Sequence, residues 1–154
     1  MKLSEHFELA EFTRSDSAKR LGISNEPTPE HQANLKLLCE HILEPIREHF
    51  GRPILISSGY RSKALNAKTP GSSSTSQHCS GEAADIDMDG TEVTNRQIFE
   101  FIRDNLKFDQ LIYEFGSDSN PDWVHVSYES IGKQRNVILR SKKVGKTTSY
   151  TLYK

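Results

Sequence analysis

The chain has 154 residues, of which 34% are hydrophobic and 27% charged, and its formal net charge is −1 at pH 7. This length and composition predict one globular domain with one hydrophobic core over residues 1–154. The near-neutral charge gives no basis for binding nucleic acid or holding a stable membrane contact, so we expect neither partner.

The N-terminal segment, residues 1–27, is predicted to be irregular with short helical pieces. Its first residues, MKLSEHFELAEF, include acidic side chains where a signal peptide requires an apolar stretch. We therefore expect no signal peptide and a protein that is cytoplasmic as synthesised. The following residues, Thr28-Pro29-Glu30, combine a capping side chain, a proline and an acidic residue, which is typical of a helix start.

A long amphipathic helix is predicted from this start to Gly51, with a bend at Pro45. Its apolar stripe contains Leu35, Leu38, Cys39, Ile42, Leu43, Ile46 and Phe50. Cys39 is therefore predicted to be a core residue. The second cysteine, Cys79, follows a histidine but has no other cysteine at metal-ligand spacing, and two cysteines do not make a disulfide framework.

The remainder of the chain contains strand patterns and a second amphipathic helix, predicted over residues 94–106. The predicted strands cover residues 53–58, 82–88, 108–115, 123–128, 136–140 and 149–153. This order predicts an α+β fold in which helices pack on a mostly antiparallel sheet. The last two strands form a hairpin over about residues 135–154, and its basic residues are interpreted as a solvated surface.

Three residues in this pattern suit a metal ion, namely His78, Asp85 and His125. Asp85 and His125 lie inside apolar strands, where alternation directs both side chains away from the apolar face. Two imidazoles and one carboxylate suit a catalytic zinc, because three protein ligands leave a fourth position for a water whose pKa the metal lowers to ~7. The spacing alone leaves open that the histidines are structural and that Asp85 pairs with Arg61.

Four short runs in this chain, taken in order, resemble a known family. They are SSGYRS at 57–62, LN at 65–66, SQHCSGEAADI at 76–86 and DWVHVS at 122–127. Together they are similar to the D-alanyl-D-alanine carboxypeptidase family of zinc peptidases, over a motif-bearing core of about residues 29–128. That family includes dipeptidases of D-Ala-D-Ala and phage endolysins that cut L-Ala-D-Glu bonds. It shares its fold with the hedgehog signalling domain, so the resemblance implies a hedgehog/DD-peptidase-like fold.

The resemblance also implies one zinc ion per chain, because His78, Asp85 and His125 match the zinc ligands of the family. Asp122 matches the catalytic base that activates the water, and Arg61 matches the arginine that stabilises the polarised carbonyl oxygen. Many members have glutamate where this chain has the shorter Asp122. The alternatives are a turn-capping role for Asp122 and a salt bridge from Arg61 to a nearby aspartate.

Further residues are candidates for the surroundings of the metal or for substrate contacts. Ser76, Asp87 and Ser127 are expected to hydrogen-bond the ligands, because metal-bound histidines usually donate their other nitrogen to an oxygen. Trp123 shares a strand face with the last ligand and either walls the cleft or belongs to the core. Glu114 is a spare carboxylate near the end of its strand and the second candidate for the base.

These features predict a zinc metallopeptidase that hydrolyses a peptide bond in bacterial cell-wall peptidoglycan, with the stem peptide as its substrate. It is either a D,D-carboxypeptidase or an L-Ala-D-Glu endopeptidase. Without an export signal or wall-binding repeat, a phage or prophage endolysin that acts on the wall after release fits best. The alternatives are a zinc-stabilised binding module without turnover, which Arg61 and Asp122 disfavour, and a virion-associated murein hydrolase. The oligomeric state is not indicated, although a monomer is favoured.

Overall fold

Six strands form a single sheet in the computed structural model, which describes residues 1–154. The strands are β1 Ile56–Ser58, β2 Ala83–Ile86, β3 Gln110–Glu114, β4 Trp123–Ser127, β5 Val137–Val144 and β6 Thr147–Leu152. Their order across the sheet is β1-β2-β4-β3-β5-β6, and only β3 and β5 run parallel. The predicted fold class, α+β with a mostly antiparallel sheet, is confirmed.

The helices precede and interrupt this sheet. They are α1 Leu9–Thr13, α2 Asp16–Leu21, α3 Pro29–Leu38, α4 Glu44–Phe50, α5 Lys63–Ala67 and α6 Asn95–Asn105. None of them has the length and apolar character needed to cross a membrane. The helix predicted over residues 94–106 corresponds to α6, whose first turn is capped by the Thr94 side chain.

The long helix predicted up to Gly51 is divided into α3 and α4 by a π-helical turn over Cys39–Leu43. Proline has no N–H, and its ring clashes with the carbonyl four residues earlier in a regular α-helix. The wider turn, in which the Glu44 N–H donates to the Cys39 carbonyl, lies directly before Pro45 and accommodates its ring.

The hydrophobic core lies between the helices and one face of the sheet. Its fully buried side chains include Leu35, Leu38, Ile42, Ile46, Ala84, Ile86, Ile98, Phe99, Ile102, Leu111, Val124 and Val126. Each fully buried leucine or isoleucine side chain stabilises the folded state by roughly 1.5–3 kcal/mol relative to an exposed one. Strand alternation places the intervening residues, among them Asp85 and His125, on the opposite face, which we call the site face.

A buried carboxylate, Asp109, fixes the chain just before β5. The Nε and Nη2 atoms of Arg135 donate to its two oxygens at 2.9 and 2.8 Å, and Gln77 Nε2 donates to one of them at 2.9 Å. The hydrogen bonds from Arg135 hold the pKa of Asp109 below its usual range, although burial acts in the opposite direction. Asp109 thereby connects the start of the C-terminal hairpin with the turn that carries His78.

Candidate metal centre

Two of the predicted ligands come from neighbouring antiparallel strands. β2 and β4 pair in a register that sets Asp85 directly opposite His125. Directly opposite residues have Cβ atoms about 4.5–5.5 Å apart, so the ladder itself brings carboxylate and imidazole together. His125 Nδ1 lies 3.0 Å from Asp85 Oδ1.

The third predicted ligand, His78, is carried by a short 3₁₀ turn over Gln77–Ser80. The Ser76 side chain begins this turn by accepting the His78 N–H at 3.2 Å. Gly81 ends it at φ +77°, and a Cβ at this position would lie 2.4 Å from the carbonyl oxygen of His31. The turn therefore requires glycine at position 81 for both its backbone conformation and its close packing.

The tautomer of His78 is set by a backbone carbonyl. Its Nδ1 lies 2.6 Å from the oxygen of Gly59, and because a carbonyl oxygen only accepts, Nδ1 carries the proton. Nε2 is then left with its lone pair free, 3.3 Å from Asp85 Oδ1. This is the arrangement in which metal-binding histidines are usually held.

The three side chains fit a tetrahedral metal ion such as zinc. Their ligand atoms all lie within 4.8 Å of one another, and His78 and His125 are only 2% and 8% exposed. Zinc bonds of ~2.0–2.2 Å in tetrahedral geometry separate neighbouring ligand atoms by about 3.4 Å. The separations of 3.0 and 3.3 Å between Asp85 Oδ1 and the two imidazole nitrogens are close to that value.

Electrostatics at the cluster keep Asp85 ionised. Burial alone would raise the pKa of Asp85, but the neighbouring His78, followed by His125, holds it well below its ordinary range. Because metal ligands must be deprotonated, an ionised carboxylate beside two imidazoles is ready for a cation.

Arg61 lies beside this cluster, on the loop that leaves β1. Its N–H donates to the His78 carbonyl at 3.1 Å, and its Nη2 donates to Ser76 Oγ at 3.3 Å. The Nε atom is buried without a hydrogen-bond partner. Arg61 makes no salt bridge with Asp85 or Asp87, so it retains a donor for the oxygen of a ligand. It also borders a polar depression lined in part by Ser57 and Ser58.

Asp122, the matched base position, is exposed and directly precedes β4. Its N–H donates to the Glu114 carbonyl at 2.8 Å. The hydrogen bonding between β3 and β4 therefore extends to Asp122. The pKa of the exposed Asp89 is raised, chiefly by Asp87 and to a smaller extent by Asp122. Asp122 is thus near these two aspartates and is not part of the group formed by the three ligands.

The expected hydrogen-bond partners of the ligands lie in different places. Ser76 bonds the backbone of His78, as described above. Asp87 instead accepts from Asn95 Nδ2 at 3.1 Å, and the Ser127 hydroxyl accepts the N–H of Gln110 at 3.0 Å. Neither Asp87 nor Ser127 contacts a ligand histidine through these bonds.

Trp123 and Glu114 both lie on the site face, close to His125. The Trp123 ring packs against Phe115 with centroids 5.3 Å apart, and its indole N–H is buried without a partner. Glu114 is 7% exposed and accepts a hydrogen bond from Ser141. Neither the Gly59 carbonyl nor Ser141 could be identified from the sequence, because a backbone acceptor and a lone serine have no recognisable motif.

A family model described as Peptidase M15 matches residues 5–127. The chain belongs to the peptidase M15 family. This confirms the resemblance to D-alanyl-D-alanine carboxypeptidases, and membership implies a metallopeptidase of a zinc-dependent family. The cluster of His78, Asp85 and His125 is a group that could bind such a metal. A search of curated proteins returns no match.

Proposed function

We propose that this protein is a zinc metallopeptidase that hydrolyses a peptide bond in the stem peptide of bacterial peptidoglycan. The bond is either the terminal D-Ala-D-Ala bond or the L-Ala-D-Glu bond. The observation that carries this proposal is the His–Asp–His group, with two buried histidines and ligand atoms within 4.8 Å of one another, in a chain of the peptidase M15 family.

Three side chains hold the metal in this proposal. His78 contributes Nε2, His125 contributes Nδ1, and Asp85 contributes Oδ1. When bound, zinc supplies a Lewis acid that polarises the scissile carbonyl and makes water more acidic. The hydrogen bond from His78 Nδ1 to the Gly59 carbonyl orients one ligand before the metal arrives.

Arg61 is proposed to stabilise the negative charge that develops on the carbonyl oxygen. A guanidinium is always charged and offers several donors, and preorganised donors of this kind are among the largest contributions to catalysis. The Nε of Arg61 is buried and has no partner in the protein. The Nη2 of Arg61 donates to Ser76, whereas its Nη1 makes no hydrogen bond and is not among the buried atoms, so Nη1 is the donor that a substrate oxygen can reach.

The proton acceptor is a carboxylate, and the position matched by the family is Asp122. Both Arg61 and an acidic residue are therefore available for turnover, which a zinc-stabilised binding module does not need. These residues support an enzyme over a non-catalytic domain of the same fold. A phage or prophage endolysin and a virion-associated hydrolase use the same chemistry and differ only in where the protein acts.

The decisive experiment is hydrolysis of defined murein fragments by the purified protein loaded with zinc, followed by mass spectrometry. Release of a terminal D-alanine identifies a D,D-carboxypeptidase, whereas a product that begins with D-Glu identifies an L-Ala-D-Glu endopeptidase. A chelator should abolish cleavage and added zinc should restore it. If the zinc-bound protein binds stem peptides without cleaving any of them, the binding-module alternative replaces this proposal.

A further inference from the structure

The C-terminal hairpin differs in charge from the rest of the chain. Residues 130–154 contain seven lysines and arginines and no aspartate or glutamate, whereas residues 1–129 contain thirteen basic and twenty-one acidic residues. The hairpin segment therefore carries a formal side-chain charge of +7 and the remainder −8, although the whole chain is nearly neutral. This basic segment lies beyond residues 5–127, which match the family.

Ion pairing divides the cations of this segment into two groups. Arg135 lies 2.8 Å from the Asp109 carboxylate, and Arg140 lies 2.7 Å from that of Asp118. The five lysines are exposed and form neither an ion pair nor a side-chain hydrogen bond, and they are Lys133, Lys142, Lys143, Lys146 and Lys154. The arginines therefore hold the hairpin to the domain, whereas the lysines are free to bind an external partner.

Three of these lysines lie together at the end of the hairpin. We call Lys142, Lys143 and Lys146 the lysine tip, because they occupy the end of β5 and the turn before β6. Lys143 follows Ser141 by two positions and so shares the site face. Its Nζ lies 5.6 Å from the centroid of the Phe115 ring, which packs against Trp123 of that face. The lysine tip therefore continues the surface that carries the metal centre.

Protection of the sheet edge does not explain these lysines. Edge strands commonly carry lysine, which discourages pairing with another chain. The edge strand here is β6, and it contains no charged residue, whereas both strand lysines of the tip belong to β5. β6 also exposes Tyr150 and Leu152, by 51% and 69%. Exposed apolar groups rimmed by polar ones often mark an interaction surface.

The lysine tip is separated from the metal centre by about the length of a short peptide. Leu139 of β5 is level with Ile112 of β3, which is itself opposite His125, and Lys143 lies four residues further along β5. At ~3.3 Å per residue along a strand and ~4.8 Å between strands, Lys143 is roughly 16 Å from His125. An extended pentapeptide spans about the same distance. The tip therefore contacts what surrounds the bond being cut, and not that bond itself.

We propose that the lysine tip binds the carboxylates of the peptidoglycan around the stem peptide that is being cleaved, an inference that rests on the proposed function for the identity of the polymer. Stem peptides carry free carboxylates at D-Glu and at the terminal D-Ala, and the polymer repeats them along each strand. Flexible lysine point charges suit such an irregular array. The planar guanidinium that matches phosphate is absent from the tip, and both arginines of the hairpin are already paired.

The charge on the rest of the domain supports the same arrangement. Residues 1–129 carry a charge of −8 and repel a polyanion, whereas the hairpin attracts it. A charge distribution of this kind orients a protein during its approach to a charged partner. The lysine tip, and with it the site face, is thereby turned towards the wall.

The test measures binding of the zinc-loaded protein to purified murein sacculi by co-sedimentation on ice. The lysine-tip variant combines Lys142→Gln, Lys143→Gln and Lys146→Gln. An exposed ion pair contributes up to about fivefold to an equilibrium constant, so the loss of three should weaken binding roughly tenfold. Arginine at the same three positions keeps the charge and should preserve wild-type binding.

The matched control combines Lys19→Gln, Lys36→Gln and Lys107→Gln, which remove three exposed and unpaired lysines from residues 1–129. It should bind sacculi as the wild type does. Both triple variants keep the metal centre, so cleavage during the assay affects them alike. Wild-type binding should weaken between ~0.05 and ~0.5 M NaCl, because salt screens exposed charges. Sacculi whose carboxylates have been amidated should bind the wild type as weakly as untreated sacculi bind the lysine-tip variant.

Equal binding of sacculi by the lysine-tip variant and the control, or undiminished binding of amidated sacculi, would overturn the inference. Tighter binding of duplex DNA or of phosphatidylglycerol vesicles than of sacculi at the same salt would also overturn it, because the surface would then serve another polyanion. Cleavage of a soluble stem peptide is measured in parallel. If the wild type binds sacculi through the lysine tip but cleaves no stem peptide, the proposed function fails and this inference stands. If it cleaves stem peptides while the lysine-tip variant binds sacculi normally, only this inference fails.

Discussion

The metal centre and the Glu114–Ser141 pair occupy the same face of the sheet but are built from different parts of the chain. Asp85 and His125 lie opposite each other on antiparallel neighbours, β2 and β4, inside the residues 5–127 that match the family. Glu114 also lies inside this range, whereas Ser141 belongs to β5, beyond it, and reaches Glu114 through a parallel pairing. The metal cluster is therefore complete within the matched region, and the carboxylate depends on the C-terminal hairpin for its orientation.

This difference implies that the metal centre and the Glu114–Ser141 pair can be disturbed separately. A change in the ladder of β2 and β4 should affect the metal first. A change in β5 should leave the metal in place and alter the carboxylate.

The largest effect is expected from removing a histidine of the metal centre. His78→Ala or His125→Ala leaves two protein ligands, which rarely hold a catalytic zinc, so most of the zinc and essentially all activity should be lost. Elemental analysis of the purified proteins, alongside cleavage assays, measures both. His41→Ala is the matched control, because His41 is exposed and stacks on Tyr128 away from the cluster. Equal zinc in the wild type and both ligand variants would refute the ligand assignment.

The next effect concerns Arg61, which contacts the turn of His78 without being a ligand. Arg61→Ala should retain zinc but lose ~10²–10³-fold in kcat, the usual consequence of removing an oxyanion donor. Arg20→Ala, an exposed arginine of α2 without an ion pair, controls for the loss of one positive charge. If Arg61→Ala instead raised KM alone, the guanidinium would bind the substrate without stabilising the transition state.

Two ligands of the metal centre could be predicted from the sequence for a physical reason. Strand alternation around Asp85 and His125 already directs both side chains to one face, and adjacent pairing of their strands then sets them together. The first ligand, His78, was recognised through the run at 76–86 that resembles the family, and the structure shows that the glycine at position 81 of this run is required by the turn. The α+β fold class followed from the same periodicities.

The positions of the other carboxylates near the metal centre, Asp122 and Glu114, could not be predicted in the same way. Regular alternation places Asp122 away from His125, three residues later, and Asp122 reaches the site only if the chain turns at its own position, for which Pro121 is the one local signal in the sequence. The pairing of β3 with β5 is parallel and joins Glu114 to Ser141 across 27 positions, for which the sequence gives no local signal. The π-helical turn before Pro45 was likewise expected only as a bend.

A smaller effect is expected from Ser141→Ala, which removes the hydroxyl that orients Glu114. A hydrogen bond to a charged group is worth ~1.5–3 kcal/mol, so the metal-free Ser141→Ala protein should lose about that much unfolding free energy, measured by urea denaturation. Zinc content should not change. Ser149→Ala on β6 is the control, because Ser149 is paired with Lys142 and lies on the other face of the sheet. An equal loss of stability in the two variants would indicate a general loosening of the hairpin.

The smallest effect is a pH-dependent loss of stability in Asp109→Asn, at the residue that links the two regions. Asp109 is 1% exposed and binds both Arg135, before β5, and Gln77, beside His78. Because the pKa of Asp109 is lowered in the folded protein, its contribution to stability is present above the unfolded-state value of ~3.9 and is lost as pH falls through the folded-state value.

Metal-free Asp109→Asn should therefore lose about 1–3 kcal/mol of unfolding free energy at pH 7, measured by urea denaturation. The difference from the wild type should shrink as the pH is lowered below ~4, because the wild-type carboxylate then becomes protonated. Asp104→Asn is the comparison, since Asp104 also pairs with an arginine but is exposed, and it should change stability little. A difference that stays constant from pH 7 to below ~4 would show that the shape of the side chain, and not its charge, joins the hairpin to the His78 turn.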